Sequence, residues 1–369
     1  MTRTLTRTLL LVLASGAALL APEAAAQTTT VKYGADFLAS GVGARALGMG
    51  GAYVAHADDV TAGYWNASGL DGLAYPEAAY MHTERFGGLV AFDYGAVAWP
   101  LSGTTTVAVS FVRSGVDDIA STLRAFNPDT GLPTPDAEDQ IEFFSAADNA
   151  LYLSLARRVN DDLTLGASAK VVRRGIGDFA SAWGYSLDLG AQYQLGRVRL
   201  GANLQDITTL VQSWSVNEEA FAGFEETFGV DAPVGLTEIV PPLARLGAAT
   251  QLPLSGDVGL TLAGDLDLGF DGQSANVLDA SGVSFRPRVG AEVDVRGVLA
   301  LRAGISDVTT SERFGTQITP TVGVGLNAGR FNVDYGFGDF AGVQGDLGVS
   351  HRISLQFTLA SDRYARGER

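Results

Sequence analysis

The chain has 369 residues, no cysteine, three histidines and a formal net charge of −16 at pH 7. Without cysteine, neither disulfide bonds nor thiolate chemistry can contribute. The three histidines, His56, His82 and His351, are too dispersed along the chain to indicate a metal cluster. An acidic chain also lacks the basic patches that nucleic-acid binding requires. We therefore expect no metal, no cofactor and no nucleic-acid partner.

Residues 1–26 have the pattern of a secretory signal peptide. Arg3 and Arg7 supply a positive start, and a largely apolar run extends from Leu9 to Leu20. Small residues at 24–26 then provide a cleavage site. No other run approaches the roughly 18 uninterrupted apolar residues that a helical membrane span needs. The chain is therefore predicted to be exported past the inner membrane.

Residues 27–75 are rich in glycine and do not alternate polar and apolar side chains. The glycines permit a tightly folded backbone. Asp58 or Asp59 can cap a short helix that carries Trp65 and ends at Gly69. We predict that this segment forms an N-terminal plug for the barrel that follows it.

Residues 76–360 alternate apolar and polar side chains over some fourteen segments. From Trp183 to Leu195, every odd position is apolar or aromatic and every even position is polar or glycine. This period of two places the apolar side chains on one face of a strand, and connectors that are alternately short and long are typical of outer-membrane barrels. We predict an all-β fold, an antiparallel transmembrane β-barrel of about fourteen strands, with residues 361–369 as a polar tail. The predicted location is the bacterial outer membrane, whose lipid contacts the barrel.

The alternation also places charged side chains on the strand face that points into the lumen. These predicted lumen charges are Lys170, Asp188, Arg199, Arg245, Asp265, Asp267, Arg286, Arg288, Glu292, Asp294, Arg302 and Arg352. Because an unpaired buried charge is costly, we expect them to pair with each other and with the plug. The alternative is a selective channel for polar solutes, although a selectivity ring usually carries one sign.

The connector 208–240 has no lysine or arginine but carries three phenylalanines. Phe221, Phe224 and Phe228 fall on one face of a helix that Asn217 can cap. An apolar stripe on an exposed connector needs cover, which the mouth of the barrel can supply. Alternatively, the stripe contacts a partner protein or a hydrophobic ligand.

The stretch from Gly43 to Tyr53, followed by Asp58-Asp59 and by Trp65-Asn66, resembles the N-terminal signature of the PorV/PorQ family of outer-membrane barrels. That family belongs to a wider group that resembles the fatty-acid transporter FadL. The matching residues, expected to form the plug motif, are Gly43, Arg45, Gly48, Gly50, Gly51, Tyr53, Asp58, Asp59, Trp65 and Asn66. The resemblance implies a fourteen-stranded barrel, in agreement with the alternation.

The resemblance implies two possible functions. PorV-like barrels are non-enzymatic components of type IX protein secretion, where they contact secreted cargo proteins and a surface attachment complex. This is the function that we expect first. FadL-like barrels instead admit small hydrophobic molecules, which is the alternative. No catalytic site is predicted, because the strand period puts His351 and Ser354 on opposite faces.

Overall fold

The strands form one continuous sheet that closes into a barrel. The computed structural model describes residues 30–32, 35–85, 88–122, 125–127, 130, 132–220, 236–270, 278–280, 283–311, 315–338 and 350–360. The strands are β1 (Thr30–Lys32), β2 (Glu77–Arg85), β3 (Val90–Ser102), β4 (Thr105–Ser121), β5 (Glu142–Arg158), β6 (Leu163–Ile176), β7 (Ala180–Leu195), β8 (Val198–Gln205), β9 (Leu210–Val216), β10 (Thr237–Val240), β11 (Leu243–Ser255), β12 (Val258–Gly269), β13 (Leu278–Ala280), β14 (Val283–Val295), β15 (Leu299–Ser311), β16 (Gly315–Ala328), β17 (Phe331–Gly338) and β18 (Ser350–Thr358). The predicted signal peptide, the polar tail and the stripe of Phe221, Phe224 and Phe228 lie outside the described residues.

Fourteen of these strands, β2 to β8, β11, β12 and β14 to β18, make the wall of the barrel. Every neighbouring pair among them is antiparallel. The ring is closed because β18 pairs with β2 and β8 pairs with β11. The predicted fourteen-stranded antiparallel barrel is therefore confirmed. Among the remaining strands, β9 pairs with β10, β13 pairs with β14, and β1 runs parallel to β10.

The side chains of each strand alternate between the two faces of the wall. Along β7, Tyr185 and Leu187 are exposed on the outer face, whereas Ser186 between them is buried on the inner face. Exposed apolar rows of this kind form the lipid-facing band of a transmembrane barrel. Aromatic rings lie at the strand ends, where Phe331 and Phe357 have ring centroids 5.0 Å apart.

Connectors of two to four residues join the strands at one end of the barrel, which we name the turn end. The other end, the loop end, has the longer connectors, such as residues 122–141 between β4 and β5, beside short ones such as residues 177–179 between β6 and β7. The short turns follow β3, β5, β7, β11, β14 and β16, as the sequence predicts. Between β7 and β8, two residues separate the paired Leu195 and Val198. The first of them, Gly196, has a φ of 60°, which the first position of a type II′ hairpin turn requires.

Residues 35–73, the inner segment, lie within the ring of strands. The helices of the inner segment are α1 (Ala44–Gly48) and α2 (Ala62–Trp65), and its 3₁₀ turns are Asp36–Ser40 and Ala67–Gly72. Outside the inner segment, Ala137–Gln140 forms a 3₁₀ turn, and residues 218–220, directly after Asn217, are helical. A Cβ atom on Gly166 of β6 would lie 2.1 Å from the nitrogen of Ser68, and one on Gly290 of β14 would lie 2.2 Å from the oxygen of Met49. Strand glycines therefore let the backbone of the inner segment touch the wall at widely separated strands. In the described ranges, no helix has the length and apolar character needed to cross a membrane.

The helix predicted near Trp65 differs in its limits. It is only four residues long. At its start, Asp59 Oδ1 accepts a hydrogen bond of 2.8 Å from the nitrogen of Thr61. The helix stops because Asn66 is extended, with a φ of −166°. Gly69 does not end it but lies in the following 3₁₀ turn, where a Cβ would come 2.1 Å from the oxygen of Ala57.

Candidate functional site

Several predicted lumen charges lie on the inner face of the wall in ion pairs. Lys170 Nζ lies 2.8 Å from Asp206 Oδ1 and 3.3 Å from Asp188 Oδ1. Arg288 Nη2 lies 3.0 Å from Asp267 Oδ2. Each of these side chains is buried or half-buried, so the pairing removes the cost that an isolated charge would carry there.

A second cluster of charges links the wall to the inner segment. Glu292 Oε2 accepts hydrogen bonds from Arg302 Nε at 2.5 Å and from Arg45 Nε at 3.1 Å. Arg302 Nη1 also donates to Asp334 Oδ1 at 2.6 Å. Arg45 therefore ties the inner segment to β14 by a charge-assisted hydrogen bond, which is stronger than a neutral one.

Two further lumen charges hold the backbone of the inner segment. Asp265 Oδ2 accepts a hydrogen bond from the nitrogen of Tyr53 at 2.7 Å. Arg352 Nη1 donates to the oxygen of Gly43 at 3.3 Å. Both wall residues are buried, so these contacts satisfy polar atoms of the wall and of the inner segment together.

The remaining lumen charges have different surroundings. Arg245 Nε lies 3.4 Å from Asp267 Oδ1, whereas Arg199 is partly exposed near the turn end. Asp294 accepts a hydrogen bond from a backbone nitrogen of the turn after β14, at 2.8 Å. Arg286 has no ion-pair partner among the described residues. The predicted function of the whole set in pairing or selectivity stays a prediction.

Arg45 is the centre of the predicted plug motif. Its Nη1 donates to Asp58 Oδ1 at 3.0 Å, and Tyr53 Oη donates to Asp59 Oδ2 at 2.8 Å. His56, which sequence reasoning did not single out for this motif, lies with Nε2 at 2.8 Å from Arg45 Nη2. Burial, followed by the positive charge of Arg45, lowers the pKa of His56 to about 4. Its imidazole is therefore neutral at neutral pH, and Nε2 accepts the hydrogen bond from Arg45.

The other motif residues pack the inner segment together and against the wall. Trp65 Nε1 and Asn66 Nδ2 donate to backbone oxygens of the inner segment at 2.9 and 3.0 Å. Strands β14 to β16 are approached closely by Gly48, Gly50 and Gly51. At Gly50, a Cβ would lie 2.6 Å from the oxygen of Ile305. These contacts make the motif a set of packing residues within the lumen.

A cavity of about 400 Å³, the inner cavity, lies between the inner segment and the loop end. Lys170, Arg245 and Asp267 line one part of it, and Leu210 and Val240 supply apolar surface. Cavities of about 300 to 1,000 Å³ with apolar walls and a few polar groups are typical of small-molecule sites. The inner cavity is the candidate site.

A second cavity of about 490 Å³, the outer cavity, lies closer to the loop end. Its lining includes Ile176 and Ala180, which flank the connector between β6 and β7 at that end. Much of the lining is apolar, including Val90, Val116 and Val216. Along β6 and β9, the two cavities therefore follow each other from the loop end towards the inner segment.

The wall is interrupted beside the inner cavity. Residues 206–209 separate β8 from β9, and Pro241 and Pro242 separate β10 from β11. Asp206 and Thr209 have φ angles of 53° and 56°, and the prolines carry no N–H to donate to a ladder. Both prolines and Asp206 line the inner cavity. The regular hydrogen-bond ladder of the wall is therefore broken next to the candidate site.

Sequence reasoning missed this arrangement because it treated 208–240 as one connector. The structure instead has β9 and β10 at the two ends of that stretch, paired with each other. Pro241-Pro242 was the available signal, since adjacent prolines interrupt a central strand. Within the described residues, no group of three or more histidine, aspartate or glutamate side chains is placed to hold a metal ion.

No protein-family model matches the chain, and no functionally curated protein matches its sequence. Solved structures do resemble it. A Pseudomonas aeruginosa FadL homologue is 14% identical with a TM-score of 0.51, and the match covers 86% of this chain and 98% of that one. The Ralstonia pickettii toluene transporter TbuX is 15% identical with a TM-score of 0.52, covering 86% and 98%. The CymD monoaromatic hydrocarbon channel is 13% identical with a TM-score of 0.53, covering 87% and 98%.

At these identities the likeness shows a shared fold. The shared fold is the antiparallel β-barrel described above. Membership of the PorV/PorQ family itself is not shown. Two of these similar structures are a transporter and a channel.

Proposed function

We propose that the protein is an outer-membrane channel for the uptake of small hydrophobic molecules, with the inner segment as its plug. The observation that carries this proposal is the series of two cavities that leads from the loop end to the inner segment. Two of the similar structures are a toluene transporter and a monoaromatic hydrocarbon channel, which supports the same class of molecule here. The type IX secretion function expected first has no support in these comparisons, so the former alternative becomes our choice.

The interruption in the wall supplies a route out of the inner cavity. Beneath the cavity, Tyr64, Trp65 and Leu70 of the inner segment are buried and fill the lumen. A hydrophobic molecule that leaves beside Pro241 and Pro242 reaches the apolar band without displacing these residues. Such a path suits a hydrophobic solute, because the solute exchanges an apolar cavity for lipid and avoids water.

The location can be tested directly. Because the first 26 residues have the pattern of a signal peptide, the mature chain should begin at Gln27 and should fractionate with the outer membrane. Mass spectrometry of the purified N-terminus and sucrose-gradient fractionation check the two statements. Recovery of the folded protein from the soluble periplasm would contradict the membrane assignment.

Uptake is tested with a variant of the inner segment. Gly50→Val should lower the entry of radiolabelled toluene, because Gly50 has a φ of 66° and a side chain there would strike the backbone of Ile305. Gly259→Ala is the matched control, since nothing lies within 4 Å of its Cβ position. Unchanged toluene entry in Gly50→Val, with the barrel folded, would count against a plug function.

A variant of the phenylalanine stripe distinguishes an uptake function from a secretion function. Replacement of Phe221, Phe224 and Phe228 with serine should lower toluene entry if the stripe guides a hydrophobic solute to the outer cavity. In a secretion component of the PorV type, the same variant should instead lose cargo or attachment proteins in a pull-down while toluene entry stays unchanged. That second outcome would restore the secretion function as the first choice.

A further inference from the structure

A buried layer separates the inner cavity from the outer cavity. Along β9, Leu210 lines the inner cavity and Trp214 lines the outer cavity, with Gln212 between them on the same face of the strand. Along β6, Lys170 and Arg174 line the two cavities in the same order. A molecule that moves from the outer to the inner cavity along β6 and β9 passes this layer, the polar constriction, which consists of Asp148, Arg174, Gln212, Trp214 and Glu238.

An ion pair lies in the constriction. Arg174 Nη1 donates to a carboxylate oxygen of Glu238 on β10, and Arg174 Nε donates to Asp148 Oδ1 on β5 at 2.8 Å. The guanidinium group also lies 5.2 Å from the ring centroid of Trp214. These contacts join β5, β6, β9 and β10, which lie on one side of the barrel. With two carboxylates around one guanidinium, the constriction carries surplus negative charge and does not attract an anion.

The side-chain amide of Gln212 is buried without a hydrogen-bond partner among the described residues. The exposed fraction of Gln212 is 0%, and within the part of the chain that the structure describes neither Oε1 nor Nε2 makes a hydrogen bond. Among the same residues, Trp214 Nε1 also makes no hydrogen bond. Gly184 of β7 makes room for the glutamine, because a Cβ there would lie 2.9 Å from Gln212 Cγ. A buried amide without a partner raises the free energy of the folded chain, and a polar group brought by a passing molecule removes that cost.

We propose that the polar constriction binds an uncharged hydrogen-bonding group on the transported molecule. The inference rests on the proposed channel function and narrows its substrates to small, mainly apolar molecules that carry one hydroxyl or carbonyl, as phenols do. The Gln212 amide offers both a donor and an acceptor, and the Trp214 indole adds a donor. A pure hydrocarbon leaves these groups unpaired as it passes, and a carboxylate meets the surplus negative charge.

The test compares para-cresol with toluene, which differs from it only in lacking the hydroxyl. Liposomes that contain the wild-type protein should take up para-cresol faster than toluene. Gln212→Leu should lower para-cresol uptake about fivefold, the effect of one net hydrogen bond, and should leave toluene uptake unchanged. Gln251→Leu is the matched control, because Gln251 lies near the turn end away from both cavities, and it should change neither rate.

Binding to the purified protein in detergent micelles gives a readout that does not depend on transport. Isothermal titration should give a weaker para-cresol affinity for Gln212→Leu and an unaltered one for Gln251→Leu. If Gln212→Leu lowers the uptake of both solutes equally, or leaves the uptake and binding of para-cresol unchanged, the polar constriction does not bind the hydroxyl group. If neither solute enters wild-type liposomes while para-cresol binding still depends on Gln212, the channel function fails and the binding site stands.

Discussion

Replacing Leu187 with arginine should strongly impair insertion of the barrel into a membrane. Leu187 lies on the outer face of β7, 45% exposed, between the exposed Tyr185 and Leu189. An arginine on the lipid face costs about 2 to 4 kcal/mol near the midplane of the bilayer. Heat-modifiable mobility on gels after refolding into liposomes measures the folded fraction, which should fall well below that of the wild type.

The control for this variant must keep the size of the side chain and omit its charge. Leu187→Met does so, because leucine and methionine exchange at little cost, and it should fold like the wild type. Ser186→Arg, on the inner face of the same strand, is not a suitable comparison. Ser186 is only 3% exposed, and its Oγ lies 3.2 Å from Thr208 Oγ1. Equal folding of Leu187→Arg and Leu187→Met would mean that β7 does not face lipid.

The sequence could predict the barrel because its main determinant is local. A transmembrane strand must present apolar side chains to lipid at every second position, and this period is visible from Trp183 to Leu195 without knowledge of any partner strand. Short turns are visible for the same reason, since their glycine and polar residues depend only on their immediate neighbours. The number of wall strands, fourteen, therefore follows from counting the alternating segments of the sequence.

The arrangement of the lumen could not be predicted in the same way. Glu292 and Arg45 are 247 positions apart and meet only because the inner segment folds back into the ring. Asp206, which pairs with Lys170, lies between β8 and β9, where no apolar–polar alternation marks it as a lumen residue. Gln212 is polar in a stretch taken for a connector, so its complete burial depends on the pairing of β9 with β7 and β10. Such contacts depend on register and closure, which local patterns do not contain.

Glycines on the inner face of the strands mark the places where the backbone of the inner segment approaches the backbone of the wall. Two strand glycines on well-separated strands, Gly166 of β6 and Gly290 of β14, face the inner segment directly. Their Cβ positions would lie 2.1 and 2.2 Å from backbone atoms of Ser68 and Met49. A backbone atom cannot move aside as the end of a flexible side chain can, so either the strand or the inner segment must shift.

The double variant Gly166→Ala with Gly290→Ala should therefore displace the inner segment while the barrel remains folded. Overpacking costs about 1 to 3 kcal/mol at each site, and fourteen paired strands resist a shift better than a segment with two short helices. Limited trypsin digestion should then release a peptide that ends at Arg45, which is half-buried in the wild type. Gly95→Ala on β3 is the control, because nothing lies within 4 Å of its Cβ position, and it should leave Arg45 protected. If Arg45 stays protected in the double variant with unchanged heat-modifiable mobility, the inner segment is not held by these close contacts.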